Sequence, residues 1–229
     1  MICVVVACVV GASSGIGVLK GIIDSAPDIS EIDVTPTGYS TTVYADDGVT
    51  ETAKLIGKGA NRTYVTIDEI PKTLQHAFVA IEDERFYSHA GIDIKRFVGA
   101  ALQYISNKGD SSYGGSTITQ QLAKNLFPRY TSQNDGKIAR TMRLVGNKLK
   151  EWITAIKLEH NYTKEEIIAM YLNTVEYGSN AFGIKSAAAT FFGKQPSELN
   201  LQEAAMLVGV VNAPTRYSPV RNPENALKR

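Results

Sequence analysis

AIEDERFYSHAGID at residues 80–93 and GGSTITQQLAKN at residues 114–125 are the two blocks on which the reading of this chain turns. Each interrupts a pattern that otherwise reads as amphipathic helix. In the first, Leu74, Ala77, Phe78 and Ile81 form an apolar helix face that begins after Pro71 and delivers a carboxylate, Glu82, at the helix end. A negative charge is unfavourable at that end of the helix dipole, so its presence asks for a reason. In the second, Thr117, Gln120, Gln121 and Lys124 fall at offsets that share one helix face, while Ile118, Leu122 and Leu126 line the opposite one. The apolar side has something to bury, and the ordered polar side is free to meet a ligand.

Outward from these blocks the chain is mainly helical. Its 229 residues, 44% hydrophobic and 21% charged, suffice for one good core and indicate neither disorder nor a disulfide scaffold. Residues 105–115 and 127–137 are polar, glycine-bearing loops that bracket the second block. A long helix follows, in which Val145, Leu149, Trp152, Ile153 and Ile156 are expected to form the buried stripe, with Lys148 and Glu151 on one flank. Thr163 with Glu166 and Asn200 with Glu203 read as capping boxes that open further helices, and Gly183 precedes another. Residues 220–229, Pro-rich and then basic, read as a linker or the start of another element.

Upstream, residues 1–19 carry no charge, and the first ionisable side chain is Lys20. A membrane span needs roughly 20 largely apolar residues, so this stretch reads as an anchor. The acidic flank Asp24, Asp28, Glu31 and Asp33 places the body on the outer side of the membrane. Both cysteines, Cys3 and Cys8, lie inside the apolar run, so the body does not depend on a disulfide. Residues 20–65 read as a small β-containing segment, with TTVY at 41–44 and RTYVTI at 62–67 as its strands.

Between Ser116 and Lys150 seven basic residues, Lys124, Arg129, Lys137, Arg140, Arg143, Lys148 and Lys150, stand against one acid, Asp135, in a chain of net charge +1. Such a strip suits an anionic ligand with phosphate oxygens. Nucleic acid is disfavoured, because no aromatics are interleaved to stack on bases and the anchor places the body outside the cytoplasm. Two carboxylates on separate helices beside a polar groove suit sugar chemistry. A glycosidase needs a second carboxyl to protonate a poor alkoxide leaving group, whereas a diphosphate leaves as a stabilised anion and needs cations. The basic strip therefore favours transfer from a sugar diphosphate over hydrolysis. His76, His89 and His160 have no metal-ligand spacing, so no obligatory metal is expected, and His89 reads as structural.

Five blocks, IEDERFYSHAGID (81–93), GGSTITQQLAKN (114–125), NKLKEWITAIKLE (147–159), TKEEIIAMYLNTVEYGSNAFGIKSAAATFFGK (163–194) and LNLQEAAMLVGVVNAPTRYSP (199–219), together make the chain resemble the peptidoglycan glycosyltransferase domain of class A penicillin-binding proteins, a family shared with monofunctional transglycosylases. The resemblance covers residues 66–219. It implies a mainly α, lysozyme-like glycosyltransferase domain with a membrane-contacting jaw subdomain, preceded by the anchor and the small β-containing segment. It also implies that lipid II is polymerised into β-1,4-linked glycan strands at the outer leaflet of a bacterial plasma membrane. Carried over residue by residue, Glu82 would be the base that deprotonates the acceptor 4-hydroxyl, and Glu151 the second glutamate, which helps hold the donor diphosphate. Arg85, Lys124 and Lys148 would be cationic contacts, Ser116, Thr117, Gln120 and Gln121 would line the cleft, and Asp83, Phe86 and Asn125 fall at further substrate-binding positions. Asn147 departs from the pattern, which has arginine there; Arg143 is the nearby candidate to supply the missing contact.

The implied partners are lipid II, the growing glycan strand and other cell-wall synthesis proteins, with a transpeptidase domain as a continuation. A divalent cation, Mg or Mn, would at most assist the diphosphate. Two rival readings stand beside this one: a glycan-cleaving enzyme on the same fold, and a peptidoglycan-associated scaffold. Without the resemblance, Glu151 reads as a helix-surface partner of Lys148, and Arg85 as a surface partner of Asp83 or Glu82. Phe97, Val98, Leu102 and Ile105, with Leu126 and Phe127, read equally as core or as a face that dips into a lipid leaflet.

Overall fold

The helical periodicity that begins after Thr66 becomes a helical domain wrapped around one buried helix. The computed structural model describes residues 41–55, 61–107, 114–127 and 136–229, with a few single positions between 17 and 29. The anchor reading of residues 1–19 falls almost wholly outside these. Among the described residues, no helix is long and apolar enough to cross a membrane.

Strands β1 (Thr41–Tyr44) and β2 (Glu51–Leu55) pair antiparallel, with an irregular register at Val43/Tyr44. Asp47 closes their turn by accepting from the backbone N–H groups of Val49 and Thr50 at 2.9 and 2.8 Å. The second strand is thus Glu51–Leu55 and not RTYVTI as expected. Among the described residues of that stretch, Arg62 makes an isolated bridge to Phe182, and the backbone of Val65 pairs with the Asn173 side chain in both directions. A β-branched run that finds a buried amide to bind need not find a neighbouring strand.

From Lys72 onward, the helices of the described residues are α1 (Lys72–Glu82), α2 (Ile94–Ser106), α3 (Ile118–Leu126), α4 (Lys137–Asn161), α5 (Lys164–Thr174), α6 (Ile184–Phe192), α7 (Leu201–Val211) and α8 (Pro223–Lys228). Helix α8 occupies the stretch read from sequence as a linker or the start of another element. The expected capping boxes form: Glu166 accepts from Thr163 N–H at 2.7 Å, and Glu203 from Asn200 N–H at 2.9 Å. Helix α5 is the centre. Every residue from Ile167 to Thr174 is buried, so this stretch meets protein on all sides, its two polar members Asn173 and Thr174 bonding to backbone carbonyls. Each fully buried leucine or isoleucine of α5 contributes roughly 1.5–3 kcal/mol by its removal from water. Helices α3 and α6 pack on it, and α1 packs on α7.

Helix α4 departs from expectation. Its buried residues are Glu151, Thr154, Ala155 and Leu158, whereas Val145 and Ile156 are 55% and 50% exposed. The buried set repeats at helical spacing, and α3 and α5 pack on α4. The apolar stripe is turned away from these neighbours, where Phe97 of α2 meets Trp152 edge-on at 4.9 Å. On α2 itself Val98, Leu102 and Ile105 are exposed, which removes them from the core. Leu126 is partly buried against the core, and Phe127 is half-buried.

Candidate active site

Glu82 ends α1 and is only 6% exposed, at the wrong end of the helix dipole for a carboxylate. It is met there by Gln121, whose side-chain Nε2 donates to Glu82 Oε2 at 2.8 Å. The two residues are 39 positions apart, and Asp83 brings their helices together. Fully buried, its carboxylate Oδ2 accepts from the backbone N–H of Ile118, the first residue of α3, at 2.9 Å, and from His89 Nε2 at 2.9 Å. One of the unpaired donors at the start of α3 is thereby tied to the last turn of α1. His89 is fixed in turn, because its Nδ1 accepts from Gly91 N–H at 3.2 Å, which leaves Nε2 to donate to Asp83.

Thr117 caps α3: its Oγ1 accepts from Gln120 N–H at 3.1 Å and donates to the carbonyl of Gly91 at 2.7 Å, while Gln120 Oε1 accepts from Thr117 N–H. Gly91 has φ +86° and lies so close to α4 that an added Cβ would meet the Ala155 carbonyl oxygen at 2.7 Å. Across the opening, Lys148 Nζ donates to Ser116 Oγ at 2.8 Å and to Glu151 Oε2 at 3.1 Å, so one ammonium joins the start of α3 to the second glutamate.

A cavity of about 620 Å³ collects these groups. Glu82, Ser116, Gln120, Gln121, Lys124, Asn125, Lys148 and Glu151 all line it, with Lys124 and Asn125 exposed. The other residues singled out in the sequence lie elsewhere. Asp83, Phe86 and Thr117 are fully buried beneath the cavity wall and are absent from its lining. Arg85 makes a two-pronged pair with Asp93, Nε to Oδ2 at 2.7 Å and Nη2 to Oδ1 at 2.9 Å, and faces a neighbouring groove. Burial alone would raise the Asp93 carboxyl. It is held below its ordinary range by the Arg96 backbone N–H and by the Arg85 guanidinium.

The cationic strip divides: Lys124 and Lys148 face the cavity, while Lys137, Arg140, Arg143 and Lys150 are on α4 outside its lining, and Arg129 falls outside the described residues. Arg96, Glu84 and Glu176 line the cavity without having been singled out. Arg96 could have been found from its place three residues after the helix cap Asp93; its Nε holds the carbonyl of Gly114 at 2.9 Å. Among the described residues no three His, Cys, Asp or Glu side chains are grouped to hold a metal ion.

The arrangement offers one carboxylate at a helix end, supported by an amide donor, and a second carboxylate paired with an ammonium. A further ammonium is exposed on the same wall. A base and an anion-stabilising patch thus face one cavity.

A family described as Transglycosylase matches residues 48–229. Penicillin-binding protein 1A/1B of Bacillus subtilis (strain 168) is 40% identical over 223 residues, which is 96% of this chain and 22% of that protein. Penicillin-binding protein 1A of Aquifex aeolicus (strain VF5) is 45% identical over 168 residues, covering 73% of this chain and 22% of that protein. Penicillin-binding protein 1F of Bacillus subtilis (strain 168) is 42% identical over 169 residues, covering 74% of this chain. The chain thus spans about a fifth of the length of these relatives.

Proposed function

We propose that this chain, which belongs to the transglycosylase family, is a peptidoglycan glycosyltransferase that polymerises lipid II into β-1,4-linked glycan strands. Glu82 takes the proton of the acceptor 4-hydroxyl as that oxygen bonds to the anomeric carbon of the donor. The bond from that carbon to the undecaprenyl diphosphate breaks on the opposite face, so an α-linked diphosphate becomes a β-linkage with no covalent enzyme intermediate. Lys148 and Lys124 meet the negative charge that grows on the departing oxygens, and Glu151 holds Lys148 in place.

One observation carries this reading: Glu82 opens on the same cavity as two ammonium groups, Lys124 and Lys148. Hydrolysis of a finished glycan would call for a second carboxyl placed to give up a proton. Glu151 instead accepts from the Lys148 ammonium at 3.1 Å, as the partner that holds this cation beside Ser116.

The exposed apolar residues of α2 and α4, among them Val98, Leu102, Ile105, Ile138, Met142 and Val145, support a jaw that rests on the outer leaflet. There it would meet the lipid of the substrate. The proposal places the domain outside the cytoplasm at the bacterial plasma membrane, with other cell-wall synthesis proteins as partners. No resident cofactor is assigned, and a divalent cation, Mg or Mn, would enter as a companion of the diphosphate.

The decisive experiment is polymerisation of purified lipid II by the wild type and by Glu82→Gln, alongside incubation with finished peptidoglycan. Glycan strands from the wild type alone, and no release of fragments from peptidoglycan, are expected. Normal polymerisation by Glu82→Gln would remove that residue from its role, and fragment release would favour the hydrolytic reading.

A further inference from the structure

Tyr171 lies in the second half of α5, fully buried, and its hydroxyl reaches the active site through one intermediary. It donates to Gln121 Oε1 at 3.2 Å, and Gln121 Nε2 donates to Glu82 Oε2 at 2.8 Å. The direction of this chain is forced from its end. An ionised carboxylate only accepts, so Gln121 must turn its NH2 towards Glu82, and its carbonyl is left facing a position where only a donor satisfies it. A phenol is such a donor as long as it keeps its proton. Burial first, and the charge of Glu82 second, hold the Tyr171 hydroxyl well above its ordinary range.

The ring is enclosed on all sides. Phe78 meets Tyr171 edge-on at 6.2 Å, and Phe78 is one helical turn before Glu82 on α1. Base, intermediary and phenol are therefore held by three different helices, α1, α3 and α5.

We propose that Tyr171 is a positioning residue for the reaction: its hydroxyl locks the Gln121 amide in the one orientation that presents NH2 to Glu82. The proposal rests on the reading of Glu82 as the base. Without the hydroxyl, the Gln121 amide can turn over and place its carbonyl against the carboxylate. Two acceptors repel unless one carries a proton, so the turned amide selects the protonated Glu82, which cannot act as a base.

The test is the pH profile of lipid II polymerisation by Tyr171→Phe. Its acid limb is expected to move up by about one pH unit, a rate loss of about tenfold on the limb, while the rate on the plateau stays within about twofold. The apparent KM for lipid II stays unchanged. In a Gln121→Leu background the same substitution moves the limb no further, because the hydroxyl acts through that amide. A residue that merely filled space would lower the whole profile and leave its shape alone.

Glu82→Gln separates the two claims. If it is active, the base reading fails; if it is inactive while the Tyr171→Phe profile overlays the wild type, only the role of Tyr171 fails. A limb that moves equally with and without Gln121 also overturns the proposal. Should Tyr171→Phe not fold, 3-fluorotyrosine at position 171 keeps the ring and makes the hydroxyl a stronger donor. The limb then moves to lower pH, and an unmoved limb overturns the proposal.

Discussion

Asp83→Ala strikes the join on which the candidate active site depends. In the wild type one buried carboxylate oxygen accepts from Ile118 N–H and His89 Nε2, both at 2.9 Å, and so ties the end of α1 to the start of α3. Alanine leaves both donors without that acceptor in a place water does not reach. Each unsatisfied buried donor costs about 1–3 kcal/mol, so the two together are expected to cost about 2–6 kcal/mol. That is a large share of the stability of an ordinary domain, which is about 5–15 kcal/mol. Asp83→Asn keeps an oxygen for the two donors and loses the charge, and its new NH2 falls where Asp83 Oδ1 is buried without a partner among the described residues. Its expected cost is smaller, about 1–2 kcal/mol. Urea unfolding followed by far-UV circular dichroism measures both, with Glu84→Ala, the exposed neighbour, as a control expected within about 0.5 kcal/mol of the wild type. Asp83→Asn, which keeps the tie between α1 and α3, is expected to stay folded and to keep most of its lipid II polymerisation, whereas Asp83→Ala loses it because Gln121 no longer meets Glu82 at a fixed place. A cost below about 1 kcal/mol for Asp83→Ala would refute the reasoning, since a contact that holds two helices together cannot be removed at the price of a surface change.

Lys124→Ala removes an exposed ammonium from the cavity wall; turnover is expected to fall about a hundredfold with thermal stability almost unchanged, and parallel loss of both would remove it from the diphosphate. Gly91→Ala forces a Cβ to within 2.7 Å of the Ala155 carbonyl at φ +86°, so chemical denaturation should register a loss of about 2–4 kcal/mol, and wild-type stability would contradict the close approach to α4. Asp93→Asn keeps the cap of α2 and removes the charge facing Arg85. The folded Asp93 carboxyl is held below its ordinary value of 3.8, so its contribution is fully present above that value and is lost as pH falls through the lower, folded one. Arg85 is 44% exposed, which limits the contribution to less than about 1 kcal/mol at neutral pH. Melting temperatures across pH should show the two proteins converging below 3.8, and a gap that widened there would invert the assignment.

Much of this was legible in the order of residues because it is local. A capping box spans four residues, so Thr163 with Glu166 and Asn200 with Glu203 announce their helices wherever the chain goes. The spacing of Leu74, Phe78 and Glu82 places the carboxylate on the face that carries the buried residues of α1, and the five blocks in their order name the family. Helical period, however, only says which side chains share a face; it does not say which face meets a neighbour. On α4 two candidate faces were available. The one with Glu151 and Leu158 was buried because α3 and α5 pack there, while the more apolar Val145 and Ile156 were left outside. Thr117 and Gln120 share a face with Gln121 in any helix, yet the first two cap the helix and only the third reaches Glu82. The Asp83 to Ile118 and Tyr171 to Gln121 contacts join residues 35 and 50 positions apart. Such contacts exist only once the helices have docked, since a hydrogen bond needs its two atoms within about 3 Å, and no local preference can bring distant parts of a chain to that separation.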